Sequence, residues 1–322
     1  MNEKLKKLLE KQHYKIVGNH SAVQVCRWTK KSIRDEGVCY KEKFYGIKSH
    51  RCCQMTPSLW CPNSCVHCWR AIEFTTGKKI PEKIDSPKKI IDECIKAQRK
   101  LLEGFKILPT TKKTLSKANM NKWGEAQEPT QFAISLSGEP TLYPYIGELI
   151  EELRKIKKTS FLVTNGLHPE ILKKLLEKKQ FPTQLYISVN TSNKNDYEKF
   201  HRSLEKNPWE KLNQSLELMK KFPRSVFRIN LIREINLSDK NVDEFSEMIK
   251  KSKPLFVELK GFMSVGFARK RLGYEKMPNE NEMKIFAEKL AKKTGLKILD
   301  SHEFSRAWVL GKDKKYLKIK NL

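Results

Sequence analysis

The chain predicts an α/β protein built on a parallel sheet, whose six strands fit a partial (β/α)6 barrel. Three observations predict it. Strand-like and helix-like segments alternate over most of the sequence, an order that calls for right-handed crossovers between parallel strands. The strand segments are short apolar runs, and the segments between them carry apolar residues at helical spacing. The length of 322 residues suits one large α/β domain with an appendage, or two modest ones.

The elements follow in order. A first strand covers Gln54 to Trp60. Ser86-Pro87, a capping residue followed by proline at the first helical position, opens a helix that runs to Phe105. Gln131 to Ser137 is a buried strand, and Tyr143 to Lys158 an amphipathic helix with apolar residues at Tyr145, Ile146, Leu149, Ile150, Leu153 and Ile156. Ser160 to Thr164, Gln184 to Val189, Val226 to Ile232 and Leu255 to Leu259 supply the remaining core strands. Helices at Pro169 to Lys179, Asn195 to Phe222 (broken near Asn207-Pro208) and Val242 to Lys251 connect them. A helix from Asn281 to Lys293 and late strands at Leu296 to Leu299 and Ala307 to Leu310 follow. Two linkers stand out, a polar one from Lys106 to Pro129 and a Gly-, Arg- and aromatic-rich one from Gly261 to Pro278.

Composition narrows the class. Net charge is +28, from 65 basic and 37 acidic side chains. Such a field attracts polyanions, and nucleic acid is the leading partner. The amino-terminal stretch is charged throughout with no apolar h-region, and no segment approaches the roughly 18 apolar residues of a membrane span. A cytoplasmic protein that does not engage the membrane is expected. The eight cysteines are therefore read as metal ligands before disulfides.

The most specific feature is Trp60-Cys61-Pro62-Asn63-Ser64-Cys65-Val66-His67-Cys68. Its C-x3-C-x2-C spacing gathers three thiolates into one loop, enough for three corners of a four-iron cluster, and leaves one iron open. Structural zinc sites pair their cysteines differently, as C-x2-C or with histidines. Upstream, Cys26, Cys39 and Cys52 form a second group with twelve residues in each gap. Regular spacing has no intrinsic meaning for metal binding; three further soft ligands close to the first strand do. Cys53 competes with Cys52, and Cys94 reads as a small core residue.

The cysteine loop, with Ser137-Gly138-Glu139-Pro140, Thr164-Asn165-Gly166 and Ser188-Val189-Asn190 at successive strand ends, resembles the radical S-adenosylmethionine (SAM) superfamily. The resemblance implies that the open iron binds SAM and that the reduced cluster cleaves it to a deoxyadenosyl radical. It implies that Ser137, Gly138 and Glu139 hold the SAM ammonium. Thr164, Asn165, Ser188 and Asn190 would meet its ribose and carboxylate, and His67 would border its adenine. The joint pattern of C-x12-C-x12-C before C-x3-C-x2-C, together with Gln54-Met55-Thr56-Pro57-Ser58-Leu59-Trp60, resembles the tRNA 4-demethylwyosine synthase family from about residue 20 onward. The division then implied is an amino-terminal extension with second-cluster ligands at 1–53, a radical SAM core at 54–265, and a carboxyl-terminal α/β extension at 266–322.

That family condenses N1-methylguanosine at position 37 of tRNA-Phe with pyruvate, and uses two [4Fe-4S] clusters and SAM. The radical takes hydrogen from the N1-methyl group, the nucleotide radical adds to the pyruvate carbonyl carbon, the carboxylate carbon leaves, and the ring closes. Equal gaps favour Cys26, Cys39 and Cys52 as second-cluster ligands. Pyruvate is held by that cluster's open iron or by a lysine Schiff base. The family's lysine falls on Lys41, with Lys43 a near competitor. Fungal and animal relatives carry a flavodoxin-like domain missing from this sequence, which implies a separate electron donor such as flavodoxin or ferredoxin. A monomer is expected. Phosphate contacts are expected from Lys112, Lys113, Lys117, Arg269, Lys270 and Arg271, and stacking surfaces from Trp123, Phe267 and Tyr274. The competing readings are another radical SAM RNA-modifying enzyme and a non-catalytic zinc protein that binds RNA.

Overall fold

The computed structural model describes residues 3–106 and 118–320. Lys112, Lys113 and Lys117 lie outside them. The chain divides into two compact units. One comprises residues 1–59, 80–162 and 318–322, and the other residues 60–79 and 163–317.

The first unit holds five strands: β1 (Lys15–Val17), β2 (Ser21–Val23), β3 (Cys52–Thr56), β4 (Gln131–Ile134) and β5 (Thr159–Thr164, its last two residues assigned to the second unit). β1, β2 and β3 pair antiparallel in that order. β3, β4 and β5 are parallel, with Cys52 opposite Gln131 and Gln131 opposite Thr159. The helix Pro87–Leu102 leads from β3 toward β4, capped by the Ser86 side chain as the Ser-Pro pair predicts. Its inward face buries Ile90, Ile91, Cys94, Ala97 and Gln98. The first strand starts two residues earlier than expected and stops at Thr56, because Pro57 has no N–H with which to extend a ladder. Cys52 thus lies on the strand itself.

Several elements here were not expected from the sequence. The helix Glu3–Lys11 packs Leu5 and Leu9 against Tyr14, Ala22, Leu59 and Leu136. Within the linker read as polar, Asn119 caps a helix at Met120–Ala126. Ala126 and Trp123 from that helix join Val25, Ile33, Leu102 and Phe105 in a core cluster. Trp123 also donates its indole N–H to the Leu102 carbonyl at 2.9 Å. It is a packing residue, not an open stacking surface.

The second unit carries β6 (Gln184–Ser188), β7 (Ser225–Leu231), β8 (Phe256–Gly261), β9 (Lys297–His302) and β10 (Ala307–Gly311). β6, β7 and β8 are parallel; β10 runs antiparallel to β8, and β9 antiparallel to β10. Each unit thus contains three parallel core strands. The helices Lys194–His201 and Pro208–Met219 follow β6, separated where Arg202 and Asn207 take left-handed backbone, at the predicted break. Asp239–Ser252 connects β7 to β8 behind a Ser238–Asn241 capping box. The helix Glu280–Thr294 buries Met283, Phe286, Ala287 and Leu290. No helix among the described residues is long and apolar enough to cross a membrane.

Candidate active site

In the second unit, the cysteine loop is held by its backbone. Ser64 N–H donates to the His201 carbonyl at 2.9 Å, Val66 N–H to Phe200 at 3.0 Å, and Leu204 N–H to Pro62 at 2.8 Å. Asn63 and Ser203 form an antiparallel bridge. The end of the helix Lys194–His201 therefore forms a short ladder with the loop. Arg271 acts on the carbonyl side. Its guanidinium donates to Val66 O at 3.2 Å, to Cys68 O, to Arg70 O at 3.1 Å and to the Glu73 carboxylate at 2.8 Å. With 17% of its side chain exposed, Arg271 is a structural clamp, which replaces the phosphate contact expected for it. Gly266, at φ +55°, lies so close to the loop that an added Cβ would stand 2.5 Å from the Trp69 carbonyl oxygen.

These contacts gather Cys61, Cys65 and Cys68. Burial raises the Cys65 thiol well above its ordinary range, and the neighbouring Cys61 and Cys68 sulfurs add to the shift. Cys68 is raised by burial too, opposed by its hydrogen bond to the Arg70 backbone and by the Arg271 charge. Coordination to a metal offsets such costs by deprotonating the thiols. The Cys65 sulfur also lies 3.1 Å from His201 Nδ1. Among the described residues, no group of three or more His, Cys, Asp or Glu is placed to hold a single metal ion.

The strand ends of this unit face the loop. Asn165 Nδ2 approaches Cys61 Sγ at 3.7 Å, and Asn165 Oδ1 accepts the Leu167 N–H. Thr164 is buried, and its hydroxyl accepts the Gly166 N–H. Asn190, beyond the half-buried Ser188 at the end of β6, reaches His67 Nε2 at 3.4 Å and accepts the Asn230 N–H. Asn236 ties the ends of β6 and β7 by donating to the Asn190 and Asn230 carbonyls. His67 stacks on Phe200 with ring centroids 4.8 Å apart, and burial, with the Arg271 and Arg228 charges, brings its pKa down to about 4. Its Nδ1 and both amide atoms of Asn63 are buried without a partner among the described residues, which fits a polar ligand here.

In the first unit, Ser137, Gly138 and Glu139 follow β4. Gly138 takes left-handed backbone at φ 66°, and the Ser137 carbonyl accepts from Thr56 Oγ1 at 2.6 Å. Glu139 is 2% exposed and accepts from Thr141 N–H and Oγ1 at 3.1 and 2.7 Å. The Ser137 hydroxyl is buried with no partner among the described residues, which fits a polar ligand at this strand end.

The second cysteine group is assembled from three elements. Cys26 caps the helix Arg27–Ile33, its sulfur accepting the Thr29 N–H at 3.3 Å. Cys39 is the N-cap of the helix Tyr40–Tyr45. Cys52 begins β3. Ser49 latches the three: its hydroxyl accepts the Cys39 N–H, its N–H donates to Glu42, and its carbonyl accepts from Thr29 Oγ1. Burial raises the Cys52 thiol well above its ordinary value; Cys26 and Cys39 raise it further, and Lys41 opposes them. Cys53 is buried instead beside Cys94, whose charge adds to the effect of burial on it. The two neighbours face opposite sides of the strand. Lys41 is 8% exposed, with Nζ 5.1 Å from the Phe161 ring, whereas Lys43 is exposed. Each cysteine group is a soft-donor trio with like-charge coupling, the donor chemistry an iron–sulfur cluster requires.

Sequence reasoning missed His201, Arg271 as a clamp, Asn63, Asn236, and the cross-strand pair of Arg228 with the fully buried Glu258 at 3.5 Å. The charged pair within apolar strands was the one detectable signal. The others depend on tertiary pairing.

Residues 55–246 match the Radical SAM superfamily, and residues 251–312 match the family described as wyosine base formation. The S-adenosyl-L-methionine-dependent tRNA 4-demethylwyosine synthase of Pyrococcus abyssi (strain GE5 / Orsay) is 43% identical over 97% of this chain and 90% of its own. A solved structure of TYW1 with a lysine-pyruvate adduct bound superposes with a TM-score of 0.85 at 34% identity, covering 100% of this chain and 99% of that one. A crystal structure of archaeal TYW1 gives 0.77 at 32% identity, again covering 100% and 99%. The expected α/β partial barrel is the fold of this superfamily. The chain belongs to the S-adenosyl-L-methionine-dependent tRNA 4-demethylwyosine synthase family.

Proposed function

We propose that the protein is a radical SAM lyase that condenses N1-methylguanosine at position 37 of tRNA-Phe with pyruvate to give 4-demethylwyosine. The observation that carries the reading is the pairing of two cysteine trios, each gathered by its own scaffold, with a buried lysine beside the second. Cys61, Cys65 and Cys68 would hold the first [4Fe-4S] cluster, and Cys26, Cys39 and Cys52 the second. With SAM bound, the first cluster supplies a carbon radical that abstracts hydrogen. Glu139, Ser137 and Gly138 would hold the SAM amino group, Thr164, Asn165, Ser188 and Asn190 its ribose and carboxylate, and His67 the edge of its adenine.

Lys41 would bind pyruvate as a Schiff base: its amine adds to the ketone carbon and water leaves. That step needs an amine held out of bulk water beside the second trio, where Lys41 stands. Exposed Lys43 lacks that environment. We assign 1–53 to second-cluster binding, 54–265 to the radical core and 266–322 to the extension. Exposed Arg269, Lys270 and Tyr274 are the described residues best suited to meet RNA, together with Phe267 beside them. The protein would act as a cytoplasmic monomer with an external donor such as flavodoxin or ferredoxin.

The test is a reconstituted holoprotein given SAM, reductant, pyruvate and N1-methylated tRNA-Phe, followed by nucleoside mass. Product that forms without pyruvate overturns the substrate assignment. Borohydride should trap pyruvate on the wild type and on Lys43→Ala, and fail on Lys41→Ala. An adduct that survives in Lys41→Ala moves pyruvate elsewhere.

A further inference from the structure

His201 has a place in this site that the cysteine pattern does not announce. It ends the helix Lys194–His201 and is 4% exposed. Its ring stacks on Tyr197 at 4.3 Å between centroids, meets Phe200 edge-on at 5.0 Å, and stands perpendicular to His67 at 6.3 Å. Its carbonyl accepts the Ser64 N–H, so its backbone and its ring address the same loop. The result is a ring held by three neighbouring rings with Nδ1 3.1 Å from Cys65 Sγ.

We infer that His201 donates its Nδ1–H to the Cys65 thiolate and so sets the reduction potential of the cluster on Cys61, Cys65 and Cys68. The inference rests on the assignment of Cys65 as a ligand. A ligating cysteine has lost its proton and can only accept. Either charge state of the imidazole can present an N–H at Nδ1, so the bond does not depend on titration. In the neutral ring this tautomer leaves Nε2 as a bare lone pair, and Nε2 is buried with no partner among the described residues. A buried acceptor without a partner is tolerated better than a buried N–H without one. An N–H···S bond draws electron density from the sulfur. It stabilises the reduced, more negative cluster over the oxidised one and raises the potential. His201 is thus a positioning residue that eases the uptake of one electron from the external donor.

The experiment is an EPR-monitored redox titration of anaerobically reconstituted full-length protein, following the signal that responds to added SAM. His201→Phe keeps a ring in the aromatic box and removes the donor. At a fixed poise its ratio of reduced to oxidised cluster should fall about tenfold, equivalent to about 59 mV for a one-electron couple. His201→Asn, whose amide N–H can occupy the Nδ1 position, should stay within about twofold of the wild type. A wild-type ratio in His201→Phe with unchanged iron content overturns the inference. Should His201→Phe fail to load iron, pulsed EPR on unaltered protein labelled with 15N-histidine decides: a nitrogen coupling on the SAM-responsive signal, lost in His201→Asn, is expected, and no coupling overturns the proposal. Cys65→Ala separates the two readings. Loss of about four irons supports the ligand assignment; full iron retention means that assignment has failed, whatever His201 does.

Discussion

The two cysteine trios solve one problem in opposite ways. The first draws all three sulfurs from one loop, and the surroundings hold that loop by its backbone: a ladder from residues 200–204 on one side and the Arg271 guanidinium on the other. The second draws one sulfur each from two helix N-caps and a strand, and Ser49 ties those elements together. A loop-borne site is legible in sequence, yet its geometry depends on residues some 140 to 200 positions away. A site spread over three elements is hard to read, yet its support is local. Damage to the first should therefore come from afar, and damage to the second from nearby.

Ligand removal breaks the comparison most strongly. Cys65→Ala should cut iron from about eight to about four per chain and abolish reductive SAM cleavage. Cys39→Ala should also leave about four irons, but retain SAM cleavage while losing the modified nucleoside. Parallel iron analysis and deoxyadenosine assays check both. If Cys39→Ala loses SAM cleavage as well, the trios are not separable and the comparison fails.

Clamp removal tests where the support lies. Arg271→Ala leaves the Val66, Cys68 and Arg70 carbonyls without their charged donor, whereas the half-exposed Glu73 carboxylate can turn to water. A loss of about 3 kcal/mol in denaturant unfolding is expected, with iron lost from the SAM-responsive cluster first. Ser49→Ala removes the acceptor for the Cys39 N–H. It should cost about 1–2 kcal/mol and loosen only the second cluster. Iron loss from the same cluster in both variants would contradict the division of labour.

Much of this was legible. The alternation of strands and helices located the six parallel strands, because buried apolar runs and amphipathic faces carry their period in sequence. The C-x3-C-x2-C loop and the Ser137-Gly138-Glu139 strand end could be picked out as candidate sites because their residues lie close together in sequence. What was not legible required partners far along the chain. Arg271 looked like one more surface cation in a basic linker, and only the fold turns it toward the Cys68 carbonyl. Trp123 lies on a helix of two turns, too short for its apolar face to show a period. His201 sits in a helix pattern that its neighbours Tyr197 and Phe200 already explain.

The smallest expected effect sharpens the choice between adjacent thiols. On a strand, successive side chains point to opposite faces. Cys52 shares its surroundings with Cys26, Cys39 and Lys41; Cys53, fully buried, shares its own with Cys94. Cys53→Ala therefore removes one sulfur from an apolar core and touches no ligand. It should lower stability by about 1 kcal/mol and leave iron content, SAM cleavage and nucleoside formation at wild-type values. Cys52→Ala should reproduce the Cys39→Ala phenotype in full. If Cys53→Ala loses iron instead, the register of the first strand is off by one residue, every side chain on it changes face, and the second trio must be redrawn around Cys53.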